Sequence, residues 1–143
     1  MDITFHYPPD LLALLIDAIP RLCRGKADVI MFFRGAGVDQ TLFSDLERRV
    51  RFDRSSIGKH EIARTVLERL NQRGEATLRE RREVVKRVVE FEDFSACWDN
   101  DRLIAQGLVA QVRKLVDVKD SFTRMKDERE TERRAGMEAR AAQ

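Results

Sequence analysis

The spacing of the apolar residues constrains this chain more than any other feature: they recur at intervals of three and four, and no stretch alternates in the manner of a strand. Leu42, Phe43, Leu46 and Val50 form one such series, and Ile62, Val66, Leu67 and Leu70 form a second. A period near 3.6 gathers each series onto one side of a helix, whereas a half-buried strand needs a period of two. The hardest case is Val84, Val85, Val88 and Val89, because valine alone favours strands. Their spacing, and the strong helix formers around them, predict a helix. The expectation is therefore an all-α fold, a compact bundle of about six helices whose last helix extends into a charged tail.

Helix boundaries follow from capping residues and breakers. Pro8 and Pro9 ahead of Asp10 open a first helix over 10–24, since proline suits the first turn, and Pro20 is expected to kink it or split off its last turn. A second helix runs over 27–34 to the stop at Gly35, Ala36 and Gly37, and a third over 40–52. Ser55 and Ser56 are the expected caps of a fourth helix over 57–72, ended by Gly74. A fifth spans 77–91, with Thr77 as cap and Glu80 completing a capping box. Phe94 and Trp98 in the connector 92–100 are expected to lid the bundle. The sixth starts near Asp101 and is expected to bury Leu103, Ile104, Leu108, Val112, Leu115, Val116 and Phe122. From Lys126 onward Lys/Arg and Asp/Glu alternate without an apolar pattern, which divides the chain into a helical bundle domain over 1–125 and a charged helical or disordered tail over 126–143.

Composition narrows the functional classes. The 27 basic and 25 acidic side chains leave a net charge of only +2, so affinity for nucleic acid would have to come from local clustering. The apolar run over 11–16 is far short of the roughly 20 residues that cross a bilayer, and the amino terminus lacks the basic start and cleavage site of a signal peptide. A cytoplasmic protein with no membrane partner is the expectation. Cys23 and Cys97 lie among apolar residues and read as buried thiols rather than ligands. His6 and His60 have no neighbouring Cys or second His, so neither points to a metal or to nucleophilic catalysis.

Three motifs carry possible chemistry. The pair of helices over 57–72 and 77–91, joined by a short turn, has the outline of a helix-turn-helix that would aim Arg79, Arg82, Lys86 and Arg87 at a major groove. Glu80, Glu83 and Glu90 lie among those bases, which equally suits a solvated helix face with ion pairs three or four residues apart. Gly35-Ala36-Gly37 follows a helix rather than a strand and lacks a following Gly-Lys-Ser/Thr, so it reads as a turn and not as a phosphate cradle. Asp117-Val118-Lys119 matches the Asp-x-Lys element of restriction-type nucleases, but those sites require a sheet and a further carboxylate to hold a divalent metal. No catalytic, cofactor-binding or metal-binding residue is expected, and the chain reads as something other than an enzyme.

Three segments, "HYPPDLLALLIDAIPRLCRGKADVIMFFRGAGV", "IARTVLERLNQRGEATLRERREVVKRVVEFEDFSACW" and "GLVAQVRKLVDVKDSFTRM", resemble the N-terminal helical region that precedes Mrr-type restriction-endonuclease domains in bacterial anti-phage proteins. The resemblance covers about residues 1–130. It implies a place in defence against foreign DNA without an active site, because the metal-binding carboxylates and lysine of such enzymes belong to a downstream domain. The six-helix pattern is also similar, as a fold analogy, to the death-fold and effector-associated adaptor domains that act by like-with-like association. The expected function is a non-catalytic adaptor or sensor module whose partner is an effector nuclease domain or another defence protein, with self-association possible. The alternative is a DNA-binding module built on the pair 57–72 and 77–91.

Overall fold

The computed structural model describes residues 7–118, and among these it contains helices and short 3₁₀ turns but no strand. Helix α1 spans Pro9–Leu22, α2 Lys26–Gly35, α3 Ser44–Phe52, α4 Lys59–Gln72 and α5 Leu78–Val89. Helix α6 begins at residue 99 and is described to residue 118. The all-α bundle expected from the apolar spacing is the observed fold. The tail over 126–143 lies outside the described residues, as do His6 and Phe122.

The core is built from the faces that the periodicity identified. Among helices α1 to α5, the pair α1 and α4 makes the most extensive contact. They bring Leu11, Leu15, Ala18 and Ile19 against Ile62, Ala63, Val66, Leu67 and Leu70, every one of them fully enclosed. Val29, Ile30 and Phe33 of α2, Leu46 of α3 and Val84, Val85 and Val88 of α5 complete the same cluster. Burying a side chain of this size removes about 1.5–3 kcal/mol of unfavourable hydration, so the shared core carries the fold.

Several local expectations are corrected. Helix α1 stops at Leu22 rather than residue 24, two residues beyond Pro20; the Cys23 N–H turns back onto the Pro20 carbonyl at 3.3 Å in a tightened last turn. The expected third helix divides into a 3₁₀ turn, Gln40–Leu42, and α3 proper, because the Asp39 carboxylate captures the Thr41 N–H and stops the first turn. Ser55 and Ser56 do not cap α4. They belong to a 3₁₀ turn, Arg54–Ser56, in which the Ser56 hydroxyl donates to the Asp53 carbonyl at 2.7 Å, and Gly58 occupies the cap position without a side-chain bond. Thr77 does stand at the N-cap position of α5, as expected, but makes no side-chain cap bond and no capping box with Glu80: its hydroxyl donates backward to the Leu70 carbonyl at 2.6 Å, closing the end of α4. Gly74 permits the turn between α4 and α5 because its φ of 59° lies in the left-handed region that side chains disfavour.

One polar cluster was not foreseen. Arg81 is only 2 % exposed, and its guanidinium donates to the Gly74 carbonyl and to Asn71 Oδ1, while its own carbonyl accepts the Tyr7 hydroxyl at 2.8 Å. The Asn71 side chain bonds Tyr7 twice, accepting its N–H at 3.1 Å and donating to its carbonyl at 3.0 Å. One side chain thus satisfies both backbone groups of Tyr7, as a neighbouring strand would. The chain ahead of α1 is tied by this cluster to the α4–α5 turn. Burial drives the Tyr7 phenol far above its ordinary range, against the weaker opposing pull of the Arg81 charge.

Candidate protein-binding groove

Helix α6 departs from its expected packing, and the departure creates the site. Its buried side chains are Ala105, Leu108, Val109 and Val112, a set at spacings of three, one and three that faces the core. Leu103 and Ile104, expected inside, are 80 % and 48 % exposed, and Val118 is 56 % exposed. Turning the helix to bury Ala105 and Val109 leaves the larger side chains exposed on another flank.

The flank borders a groove of about 570 Å³ between α1 and α6. Asp10, Ala13, Leu14 and Asp17 form one wall, and Gln111, Lys114, Leu115 and Val118 form the other. Each set follows positions i, i+3, i+4 and i+7, so each helix turns one continuous stripe of about two turns toward the groove. The two helices run antiparallel: Arg21 near the end of α1 bonds Asp101 near the start of α6 at 2.9 Å, while Asp10 at the start of α1 shares the groove with Val118. The floor is apolar. The charged groups stand at the rims, acidic on α1 and basic on α6.

Further anchors set the spacing of these walls. The Asp17 carboxylate lies 3.8 Å from Arg21 and 3.4 Å from Nε2 of His60, so the α1 wall is also tied to α4. At the other end of the groove-forming pair, the Arg24 guanidinium donates to the Ala96 carbonyl at 2.6 Å and lies over the Trp98 ring at 5.2 Å. The Trp98 indole N–H returns a bond to the Arg24 carbonyl at 2.9 Å. Trp98 is half exposed and clasps the edge of the bundle rather than lidding it; Phe94 packs on Phe91, ring to ring at 5.2 Å.

The four bases singled out for DNA are all exposed on α5. Arg79, Arg82 and Lys86 share a face, being spaced by three and four. Arg87 bonds Glu83 at 3.2 Å across one helical turn. Its guanidinium also lies 3.3 Å from where a β-carbon on Gly35 would sit, so the Gly35-Ala36-Gly37 turn packs against α5. A polar cavity of about 310 Å³ at this junction is lined by that turn together with Arg79, Glu80 and Glu83. Two carboxylates beside one guanidinium give the cavity no preference for phosphate. The structure therefore brings together two motifs that sequence kept apart, the glycine turn and α5, without making an anion site of them.

No group of His, Cys, Asp and Glu among the described residues could hold a metal ion, and none of the described helices is long and apolar enough to cross a membrane. Asp117 and Val118 lie in α6, while Lys119 falls outside the described residues. His60 lies beside the Asp17 carboxylate. Cys23 and Cys97 are buried as expected, and burial, assisted by the Asp28 carboxylate, pushes the Cys23 thiol up to about 12. Such a thiol is a poor nucleophile at neutral pH. The groove residues were missed at the level of sequence because Leu103 and Ile104 look like core; the available signal was the alternative apolar set at 105, 108, 109 and 112, which also fits helical spacing.

Comparison with known proteins finds no matching family model, no matching curated protein and no matching solved structure.

Proposed function

We propose that this chain is a non-catalytic adaptor or sensor module of a bacterial restriction-type anti-phage system, cytoplasmic, and acting through protein contacts made at the α1/α6 groove. The observation that carries the reading is the pairing of an apolar floor with two parallel stripes of helical spacing. That geometry suits an amphipathic helix laid between them, the helix-in-groove mode of recognition. Leaving Leu103, Ile104 and Val118 in water along one flank costs hydration free energy that a docking partner would recover. The resemblance to the helical region ahead of Mrr-type nuclease domains supplies the biological setting and the expected partner, an effector nuclease domain or another defence protein.

The DNA-binding reading is the second choice, favoured by the shared exposed face of Arg79, Arg82 and Lys86. Glu83 weakens it by engaging Arg87, and Glu80 stands one residue from Arg79. A single experiment separates the readings. Binding of a fluorescent duplex is measured between about 50 and 200 mM salt, where phosphate contacts lose affinity steeply, alongside binding of a purified Mrr-type nuclease domain. The adaptor reading expects weak DNA binding that is insensitive to replacing Arg79, Arg82 and Lys86 with Glu, and nuclease-domain binding that is lost on Leu115→Glu. Tight, sequence-dependent duplex binding abolished by the triple charge reversal would replace it with the DNA reading.

A further inference from the structure

We propose that the outer face of α3 binds single-stranded nucleic acid, with Phe52 as the platform for one base and Arg48, Arg51 and Arg54 as contacts to the phosphates. The site is separate from the α1/α6 groove and does not depend on it.

Three observations carry the proposal. The first is placement. Arg48, Arg51 and Phe52 stand at positions i, i+3 and i+4, on the face of α3 turned away from Leu46 and Val50, which pack on the core. Phe52 is 77 % exposed, so its ring is open to a planar partner. The second is charge. Arg48, Arg51 and Arg54 are exposed, and among the described residues none of them is in an ion pair. Arg49 on the same helix is by contrast tied to Glu61 at 3.5 Å and to the Ser56 carbonyl at 2.6 Å. The carboxylates of α3 are occupied, Asp45 by Arg69 and Glu47 by Arg34, while Asp53, just past the helix end, opposes the three bases. Guanidiniums free of carboxylates beside an open ring select a ligand that is both polyanionic and aromatic, which describes a nucleic acid and not a run of acidic side chains. The third is the cleft of about 330 Å³ between α2 and α3, which opens beside Arg51 over apolar Ile30, Met31 and Val50. Met31 is 62 % exposed there, and a thioether suits contact with an aromatic base. Around the helix the order is Phe52, Arg48, Arg51 and then the cleft, so two base sites flank two phosphate sites along the path of a strand crossing α3. A duplex offers the same phosphates, but its bases are already paired and stacked. The α5 face lacks this combination, since no aromatic residue stands among Arg79, Arg82 and Lys86, and Glu83 holds Arg87.

The test uses the whole chain and follows the fluorescence anisotropy of a short labelled oligothymidylate, with oligouridylate, a duplex of the same length and polyglutamate as competitors. Oligothymidylate should bind more tightly than the duplex or polyglutamate. Phe52→Ala should weaken it about tenfold and Phe52→Leu by as much, whereas Phe52→Trp should retain it, because a stacking face is lost rather than bulk. Binding should weaken with salt, and Arg48→Gln and Arg51→Gln should each reduce the slope of log affinity against log salt by about 0.7, the value for one phosphate contact on a single strand. Duplex binding should be indifferent to Phe52→Ala. Circular dichroism confirms that each variant folds, as expected for exposed positions. Tighter competition by oligouridylate than by unlabelled oligothymidylate supports the site and identifies RNA as its source; the reverse supports it and identifies DNA. Unchanged affinity in Phe52→Ala, or single strands bound no better than polyglutamate, overturns the proposal. Binding that survives the loss of Arg48 and Arg51 but disappears when Arg79, Arg82 and Lys86 are replaced with Glu overturns it as well, because the contact then lies on α5. Association with phosphatidylserine vesicles that requires Phe52, without oligonucleotide binding, overturns it in favour of a membrane surface.

Discussion

Replacing Asn71 with Ala tests whether the segment ahead of α1 is pinned by the hydrogen-bond cluster that joins it to α4 and α5. The substitution removes two bonds to the Tyr7 backbone, at 3.1 and 3.0 Å, and leaves a buried N–H and carbonyl with no protein partner. At a net contribution of about 1 kcal/mol for each bond, the loss should be about 2 kcal/mol, and a chain of this size should melt about 6 °C lower. Tyr7→Phe deletes only the hydroxyl bond to the Arg81 carbonyl and should cost about 1 kcal/mol. Because both substitutions loosen the same residue, their costs should not add: the double variant should fall short of the sum by at least about 0.5 kcal/mol. Urea denaturation followed by circular dichroism measures all three, with the slope of the transition checking that the unfolded state is unchanged. An Asn71→Ala variant as stable as the unmodified protein, or strictly additive losses, would refute the cluster as a cooperative anchor.

Other outcomes follow from the same structure. Leu67 is fully enclosed, so Leu67→Asp buries an unpaired charge at a cost of several kcal/mol and should abolish the cooperative helical melt in circular dichroism. Raised thiol pKa values imply a loss of stability in base: below about pH 8.5 the Cys23 thiol is protonated in both states, whereas above it only the unfolded thiol ionises. Stability should therefore fall as pH rises toward the folded value of about 12, by at most about 1.4 kcal/mol per pH unit for this thiol, and Cys23→Ala should flatten the urea midpoints measured through that range. The Arg69 guanidinium holds the Asp45 carboxyl below its ordinary range through bonds of 2.8 and 2.9 Å, so this pair stabilises the fold above about pH 3.9 and the contribution is lost on further acidification. The pair is partly exposed, so Asp45→Asn should cost under about 1 kcal/mol at neutral pH, measured as a change in urea midpoint.

The fold was legible in the sequence wherever one apolar register dominated. In the turn ahead of α3, in α3 and in α4, the enclosed Leu42, Phe43, Leu46, Ile62, Val66, Leu67 and Leu70 are residues that periodicity selected, and the selected Val50 is partly buried against them. Helix α6 offered two overlapping registers, one through Leu103 and Ile104 and one through Ala105 and Val109. Bulk favoured the first, while the geometry of the bundle required the smaller pair, because α6 must approach its neighbours closely enough to enclose Val112. Caps were legible only as residue types. Ser56 and Thr77 have the right chemistry, but their hydroxyls found backbone carbonyls of the preceding turn instead of helix N–H groups. Arg81 was hidden among six other charges on α5, and its burial depends on Asn71 and Gly74, which only the folded turn brings within reach.

The most direct test of the account is a pair of titrations followed in ¹H–¹⁵N spectra of the intact chain, one with a purified Mrr-type nuclease domain and one with duplex DNA. The account predicts that amide signals of Ala13, Leu14, Gln111, Leu115 and Val118 shift as the nuclease domain is added, while those of Arg79, Arg82 and Lys86 stay in place when duplex DNA is added. Stationary groove signals in the first titration, together with DNA-dependent shifts confined to α5 in the second, would contradict it.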